Sequence, residues 1–449
     1  MKHQFSRLGA VAAAVILAAG ACSSGAGASA SGSSAGGPVT ITFWYWGQSD
    51  APGADSWMAQ SVTQYEAAHP NITIDVVPQS TDTLQSAFET AAASHSGPDI
   101  ASEWATGGTL GYVLSGYDAP ISDLIPQSET QHWLNTSENT FNGKIWTMPM
   151  YLLGTSLAYN KALFAQAGVT PPSGDRWTWD EFLAACAKLK AAGITPLVGG
   201  DKDGYLGGWL FSLIGSQQLN SPMDLVQATV GNASFTDAKY TGWYTALDTL
   251  VKDGYWNDDV LSRNLDQGVT LFGQGGGAMS FESDGMLATS IKVLGGDKVG
   301  LMLPPTWGTG KMADYGYATQ SCGYAVTSWS KHQQQAADFL AYLHTPDRLT
   351  AWYEATGVTP ADDRFDTSLV TVPQLQTATK FDTTGSQAFL EEWLPVEIDG
   401  NADLPAGEMI FGGSGTPSDA AQLWERSAQE WRTAHPDELA GWQKMAGTQ

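Results

Sequence analysis

Residues 39–100 carry the pattern that most narrows what this chain can fold into. Val39 to Trp46 alternates β-branched and aromatic residues and reads as a strand. Ser56 to His69 places Met58, Val62, Tyr65 and His69 at helical spacing, and Pro70-Asn71 ends the helix. Ile72 to Val77 alternates again, Leu84 to Ser94 is helical, and Gly97-Pro98 leads into a third strand opening at Asp99-Ile100. A βαβαβ run calls for a parallel sheet with helices on its faces. Ligands meet such sheets in the loops beyond the carboxyl ends of the strands. That rule singles out Trp46, Gly47 and Gln48 after the first strand, and Glu103 and Trp104 after the third.

Later segments continue the alternation. Thr178-Trp-Asp-Glu181 is a capping box ahead of a helix with Phe182, Cys186 and Leu189 on one face, and Gly193 suits its C-terminal end. Cys186 therefore reads as a small core residue. Gln335 to His344 predicts another helix, with Ala336, Phe339, Leu340 and Leu343 inward. Pro346 and Pro417 each open a further helix at the first helical position, and Gly357 closes the one that begins at Pro346.

At 449 residues the chain is too long for a single core, and its 43% hydrophobic content calls for a folded protein. A formal net charge of −25 repels nucleic acid and anionic membrane surfaces and favours a neutral solute over an anionic one. Only 15% of residues are charged, while 11% are aromatic, 18 of them Trp. Most such rings fill cores, but Trp and Tyr also offer flat apolar faces on which sugar C–H patches can stack.

The N-terminus reads as a targeting segment. Lys2, His3 and Arg7 precede an apolar run from Leu8 to Gly20, too short to span a membrane. Gly20-Ala21-Cys22 resembles the lipobox of bacterial lipoproteins, with Ala19 where Leu is commoner. The expectation is a signal peptide over 1–21, lipidation at Cys22 and a Ser/Gly/Ala tether over 22–38. The protein would then sit on the extracellular face of the membrane, held only by the lipid. No later run is long and apolar enough for a transmembrane helix.

Across nearly the whole remaining chain, ordered short motifs resemble the extracellular solute-binding proteins of family 1, which serve carbohydrate ABC importers. They are Phe43-Trp-Tyr-Trp46, Gly97-Pro-Asp-Ile100, Asn142-Gly-Lys-Ile145 with Met148-Pro149, and Tyr159-Asn160-Lys161. Pro171-Pro172, Thr178 to Phe182, Gly193-Ile-Thr-Pro196, and Phe272 to Met279 (F-x-x-G-x-x-A-M) follow. Leu303-Pro304, Ser330-Lys331, Ala336 to Leu343 and Gly357-Val-Thr-Pro360 complete the order. The resemblance implies an α/β two-lobed periplasmic-binding-protein fold of type II. Each lobe would hold a central, mostly parallel sheet flanked by helices, with a hinge between lobes. Lobe one would comprise 39–150 and 314–357, and lobe two 151–313 and 358–449. A bond between Cys186 and Cys322 would lock that hinge, so both are expected as free thiols.

The resemblance further implies capture of a sugar or small oligosaccharide by lobe closure and delivery to permease subunits. The protein would be a monomer with no catalysis, cofactor or metal. Ligand contacts are expected from Trp46, Gln48, Glu103, Trp104, Tyr151, Asp203, Tyr205, Trp209, Glu282, Asp284 and Gly323. One departure is the absence of the Trp that many relatives carry shortly after the A-M segment, in a G-x-W arrangement: Phe281-Glu-Ser-Asp-Gly-Met286 stands there, and Trp307 would be the substitute platform. Two other readings remain. The same fold could hold another solute such as a polyamine, or Glu282 and Asp284 could serve as the carboxylate pair of a secreted glycoside hydrolase. Asp201-Lys-Asp203-Gly204 lacks the remaining ligands of a calcium loop, and Gly273 to Gly277 lacks the Lys-Ser/Thr of a phosphate loop.

Overall fold

The computed structural model describes residues 37–80, 83–104, 107–315, 318–384 and 387–447. The expected signal peptide, Cys22 and nearly all of the tether lie outside the described residues.

Seven principal strands form one mixed sheet: β1 (Val39–Tyr45), β2 (Ile72–Pro78), β3 (Ile100–Trp104), β4 (Thr147–Asn160), β5 (Met279–Ser283), β6 (Val299–Met302) and β7 (Ala318–Thr327). Their order is β2-β1-β3-β7-β4-β5, with β6 also on β4. The opening motif folds as its periodicity predicts. β1 pairs parallel with β2 from Val39↔Ile72 to Tyr45↔Pro78, and with β3 at Phe43↔Ile100. The remaining pairings among these seven strands are antiparallel: β7 inserts between β3 and β4 in the opposite sense, and β5 and β6 both run opposite to β4. The sheet is thus less parallel than the sequence reading expected.

β4 is the spine of the molecule. All 14 of its residues are buried, and at about 3.3 Å per residue it is long enough to run through two cores. Met148, Met150, Tyr151 and Leu153 belong to one apolar core with Phe43, Tyr324 and Phe339. Leu157 and Tyr159 belong to a second core with Phe182, Leu210 and Trp243. Core membership changes inside the strand, where Thr155 and Ser156 sit fully buried. Cys322 lies in the first core and Cys186 in the second, and neither is in a disulfide.

The helices that frame the site are α1 (Ala54–Ala68), α2 (Leu84–Ala92), α3 (Trp179–Ala191), α4 (Tyr205–Leu213), α5 (Leu265–Gly273), α6 (Asp284–Leu294) and α7 (Leu404–Phe411). The Thr178–Glu181 capping box opens α3 as expected: Thr178 N–H donates to Glu181 Oε2 at 2.9 Å. The motif asparagine Asn160 caps the helix Lys161–Ala167 by accepting from the Ala162 and Leu163 amides. No helix among the described residues is long and apolar enough to cross a membrane.

Candidate ligand-binding site

A cavity of about 290 Å³ lies where elements of the two cores face each other. One wall comes from the loop after β1 and the end of β3. It carries Trp46, Ser49, Asp50 and Trp104, with Gln85 from α2. Trp46 stands edge-on to Trp104, ring centres 5.3 Å apart, and its amide donates to Ser102 Oγ at 2.9 Å. The strand ends thus deliver two indoles to the place that the open-sheet rule marks for ligands.

The facing wall begins with α4. Tyr205 and Trp209 are four residues apart and so share one helical face, which lines the cavity. α4 can approach α7 closely because Gly207 and Gly407 meet backbone to backbone: a Cβ on Gly207 would lie 2.7 Å from the Gly407 Cα. Asp203 precedes α4, and Asn264, Leu265 and Asp266 enter from the start of α5, where Asn264 caps the helix. The floor comes from a distant stretch, Glu391 to Leu404, which includes a π-helical turn at Asp399–Asp403. Such turns recur at functional sites.

Five carboxylates line the cavity: Asp50, Asp203, Asp266, Glu391 and Asp399. Among the described residues, no Lys, Arg or His stands beside them in the lining. Burial pushes Asp50 up to about 7, although Cys322 and Tyr151 donate to it. Burial likewise pushes Asp399 up to about 7 and raises Asp203 and Asp266. Desolvation without a nearby cation is the shared cause. The chemistry available is hydrogen-bond acceptance by carboxyl oxygens, together with apolar cover from four aromatic rings.

Of the residues expected from sequence, Trp46, Trp104, Asp203, Tyr205 and Trp209 line this cavity. The other six do not. Gln48 turns away: its Oε1 accepts from the Gly53 and Asp55 amides at 3.1 Å each and holds the start of α1. Glu103 points to the opposite side of β3 from Trp104, as strand alternation requires, and accepts from Thr109 at 3.1 Å. Tyr151 is buried one layer below, stacked on Trp352, and its hydroxyl donates to Asp50 Oδ2 at 3.3 Å. Glu282 is wholly buried in β5 and accepts from Ser290 at 2.8 Å; burial raises its pKa strongly. Asp284 is buried at the first turn of α6. Glu282 and Asp284 therefore share neither a strand face nor a cleft. Gly323 serves the sheet at a register shift, where a Cβ would lie 2.1 Å from the Met148 carbonyl. Trp307 packs on Trp243 and is also outside the lining.

The sequence reading missed Asp50, Gln85, Asn264, Asp266, Met286 and the floor residues. Asp50 lies two positions beyond Gln48 on the very loop that was singled out. The floor had no local signal, because it reaches the site only through the packing of α7 on α4.

The sequence matches the model of the bacterial extracellular solute-binding protein family over residues 48–348. The chain belongs to that family. It is thus a binding protein of an extracellular family and not an enzyme. It is similar to the melibiose/raffinose/stachyose-binding protein of Bacillus subtilis, at 22% identity over 54% of this chain and 57% of that one. The sn-glycerol-3-phosphate-binding periplasmic protein of Yersinia pestis is 26% identical over 49% of each chain. The chain thus spans about half the length of these curated relatives. Among solved structures, a chitin oligosaccharide binding protein superposes with a TM-score of 0.78 at 21% identity, covering 88% of this chain and 99% of that one. The solute-binding protein accordingly has the α/β periplasmic-binding-protein fold over most of its length.

Proposed function

We propose that this solute-binding protein captures a sugar or small oligosaccharide in the 290 Å³ cavity and hands it to the permease of an ABC importer. The observation that carries the reading is the pairing of indoles from one core, Trp46 and Trp104, with Tyr205 and Trp209 from the facing side, among carboxylates. Rings stack on sugar C–H faces, and carboxylates accept from hydroxyls. The first wall and the facing wall belong to different cores that share β4, so a solute touching both favours the closed arrangement. We take the two cores as two lobes moving about that strand. Lipid attachment at Cys22 and a monomeric state belong to the same reading.

An anionic solute such as a glycerol phosphate fits poorly, because five carboxylates and no cation line the cavity. A thermal-shift screen over mono- and disaccharides tests the reading. A ligand at 100 times its dissociation constant adds about 2.7 kcal/mol, so a true solute gives a clear upward shift. A shift with glycerol phosphate and none with any sugar would reject it.

A further inference from the structure

At the floor of the cavity and just behind it lies a feature that neutral-sugar binding leaves unexplained. Glu391, Asp399 and Asp403 each offer a carboxylate oxygen, and the three lie within 4.8 Å of one another. Asp403 is wholly buried, yet its Oδ2 accepts no hydrogen bond among the described residues. That oxygen is aimed at the cluster: a Cβ built on Gly208 would lie 3.2 Å from both Asp403 Oδ2 and Glu391 Oε2. The other oxygen is fixed from behind, since Tyr244 donates to Asp403 Oδ1 at 3.3 Å and Trp424 Nε1 donates to Tyr244 at 2.9 Å. Asp399 Oδ1 also accepts nothing among the described residues. Three carboxyls this close repel one another when ionised, and a buried acceptor left unmatched costs about 1–3 kcal/mol. Something with several donors and a positive charge would relieve both penalties.

A protonated primary amine has three donors and no acceptor. Aromatic faces beside it add attraction for a cation, and Tyr205 and Trp209 stand on the adjoining helix face. Resting on the reading of the cavity as the solute site, we propose that the captured solute bears a protonated amine, held at the floor by Glu391 and Asp399 with the Asp403 carboxyl behind them, while its carbon frame lies against the aromatic walls. An amino sugar and a polyamine share this chemistry.

Calorimetric titration of the whole chain at pH 7 distinguishes the sources, using a glucosamine disaccharide, its N-acetylated counterpart, spermidine and calcium ion alone. The expected result is that the free-amine disaccharide binds at least tenfold more tightly than the N-acetylated one. Asp399→Asn should abolish that difference while leaving the melting temperature of the unliganded protein unchanged or higher; Glu391→Gln serves as the second variant if Asp399→Asn fails to fold. Binding of spermidine with neither disaccharide keeps the amine and rejects the sugar of the preceding reading. Equal or tighter binding of the N-acetylated disaccharide overturns the amine and leaves the sugar standing. Binding of calcium without any amine, or of none of the four, also overturns the proposal.

Discussion

Replacing Trp104 with alanine separates a ring that touches solute from one that only fills a core. Trp104 is half-buried, at the last position of β3, with one edge against Trp46 at 5.3 Å and another surface on the cavity. Loss of the edge contact costs about 0.5–1.5 kcal/mol of stability. A sugar face covers roughly 60–80 Å² of an indole, and at about 25 cal/mol per Å² that removes about 1.5–2 kcal/mol of binding. Affinity should therefore fall about 10- to 30-fold while the melting temperature drops by only a few degrees. Calorimetric titration with the solute found by screening, paired with a thermal melt of the same preparation, reads both. Affinity within twofold of wild type in a stable variant would remove Trp104 from the binding surface. Failure to fold would make it a core residue and refute the reasoning from the other side.

Other substitutions and conditions test the frame around the site. Gly285→Ala places a Cβ that would lie 2.1 Å from the Asp50 carbonyl, so the Asp50 loop must move; solute affinity should fall about tenfold or more by titration. Gln48→Ala removes a cap on α1 and should cost about 1 kcal/mol in denaturant unfolding with affinity unchanged; a large affinity loss would return Gln48 to the site. Stability should also depend on pH with a definite sign. Asp50, Glu103 and Asp399 are raised to about 7 and Asp201 to about 8, so the folded state holds more protons than the unfolded one between about pH 4 and 8, and stability declines as pH rises across that window. Asp362, lowered to about 2 although its burial opposes this, is held down by Arg364 and His344; it contributes above about pH 4 and loses that contribution as pH falls through 2. The unliganded protein should thus melt higher at pH 5 than at pH 8, and the reverse order in a calorimetric scan would contradict these assignments.

Much of this was readable from the chain because local rules dominate where they were applied. Strand alternation and helical spacing placed β1, α1, β2, α2 and β3 to within a few residues. The parallel order of β1, β2 and β3 then fixed Trp46 and Trp104 at one edge of the sheet. The failures have equally physical causes. Glu103 and Trp104 are neighbours in a strand and so face opposite ways, a constraint present in the sequence that excludes one of the two. Gln48 satisfies amides of its own loop, and only folded geometry shows that its side chain is already occupied. Glu282 lies in a strand buried on all sides, a setting that its acidic character argues against until Ser290 is seen to pair with it. The floor from Glu391 to Asp403 is separated from α4 by about 180 residues of sequence, and its approach depends on two glycines meeting between helices.

The most direct test is a crystal structure of the protein with the solute identified by thermal shift. The account predicts density for that solute between Trp46 and Trp104 on one side and Tyr205 and Trp209 on the other, with polar groups within hydrogen-bonding distance of the Asp50, Asp203 or Asp399 carboxyls. Density instead in the separate 200 Å³ groove lined by Glu89, Tyr112 and His435, with the cavity left to water, would contradict it.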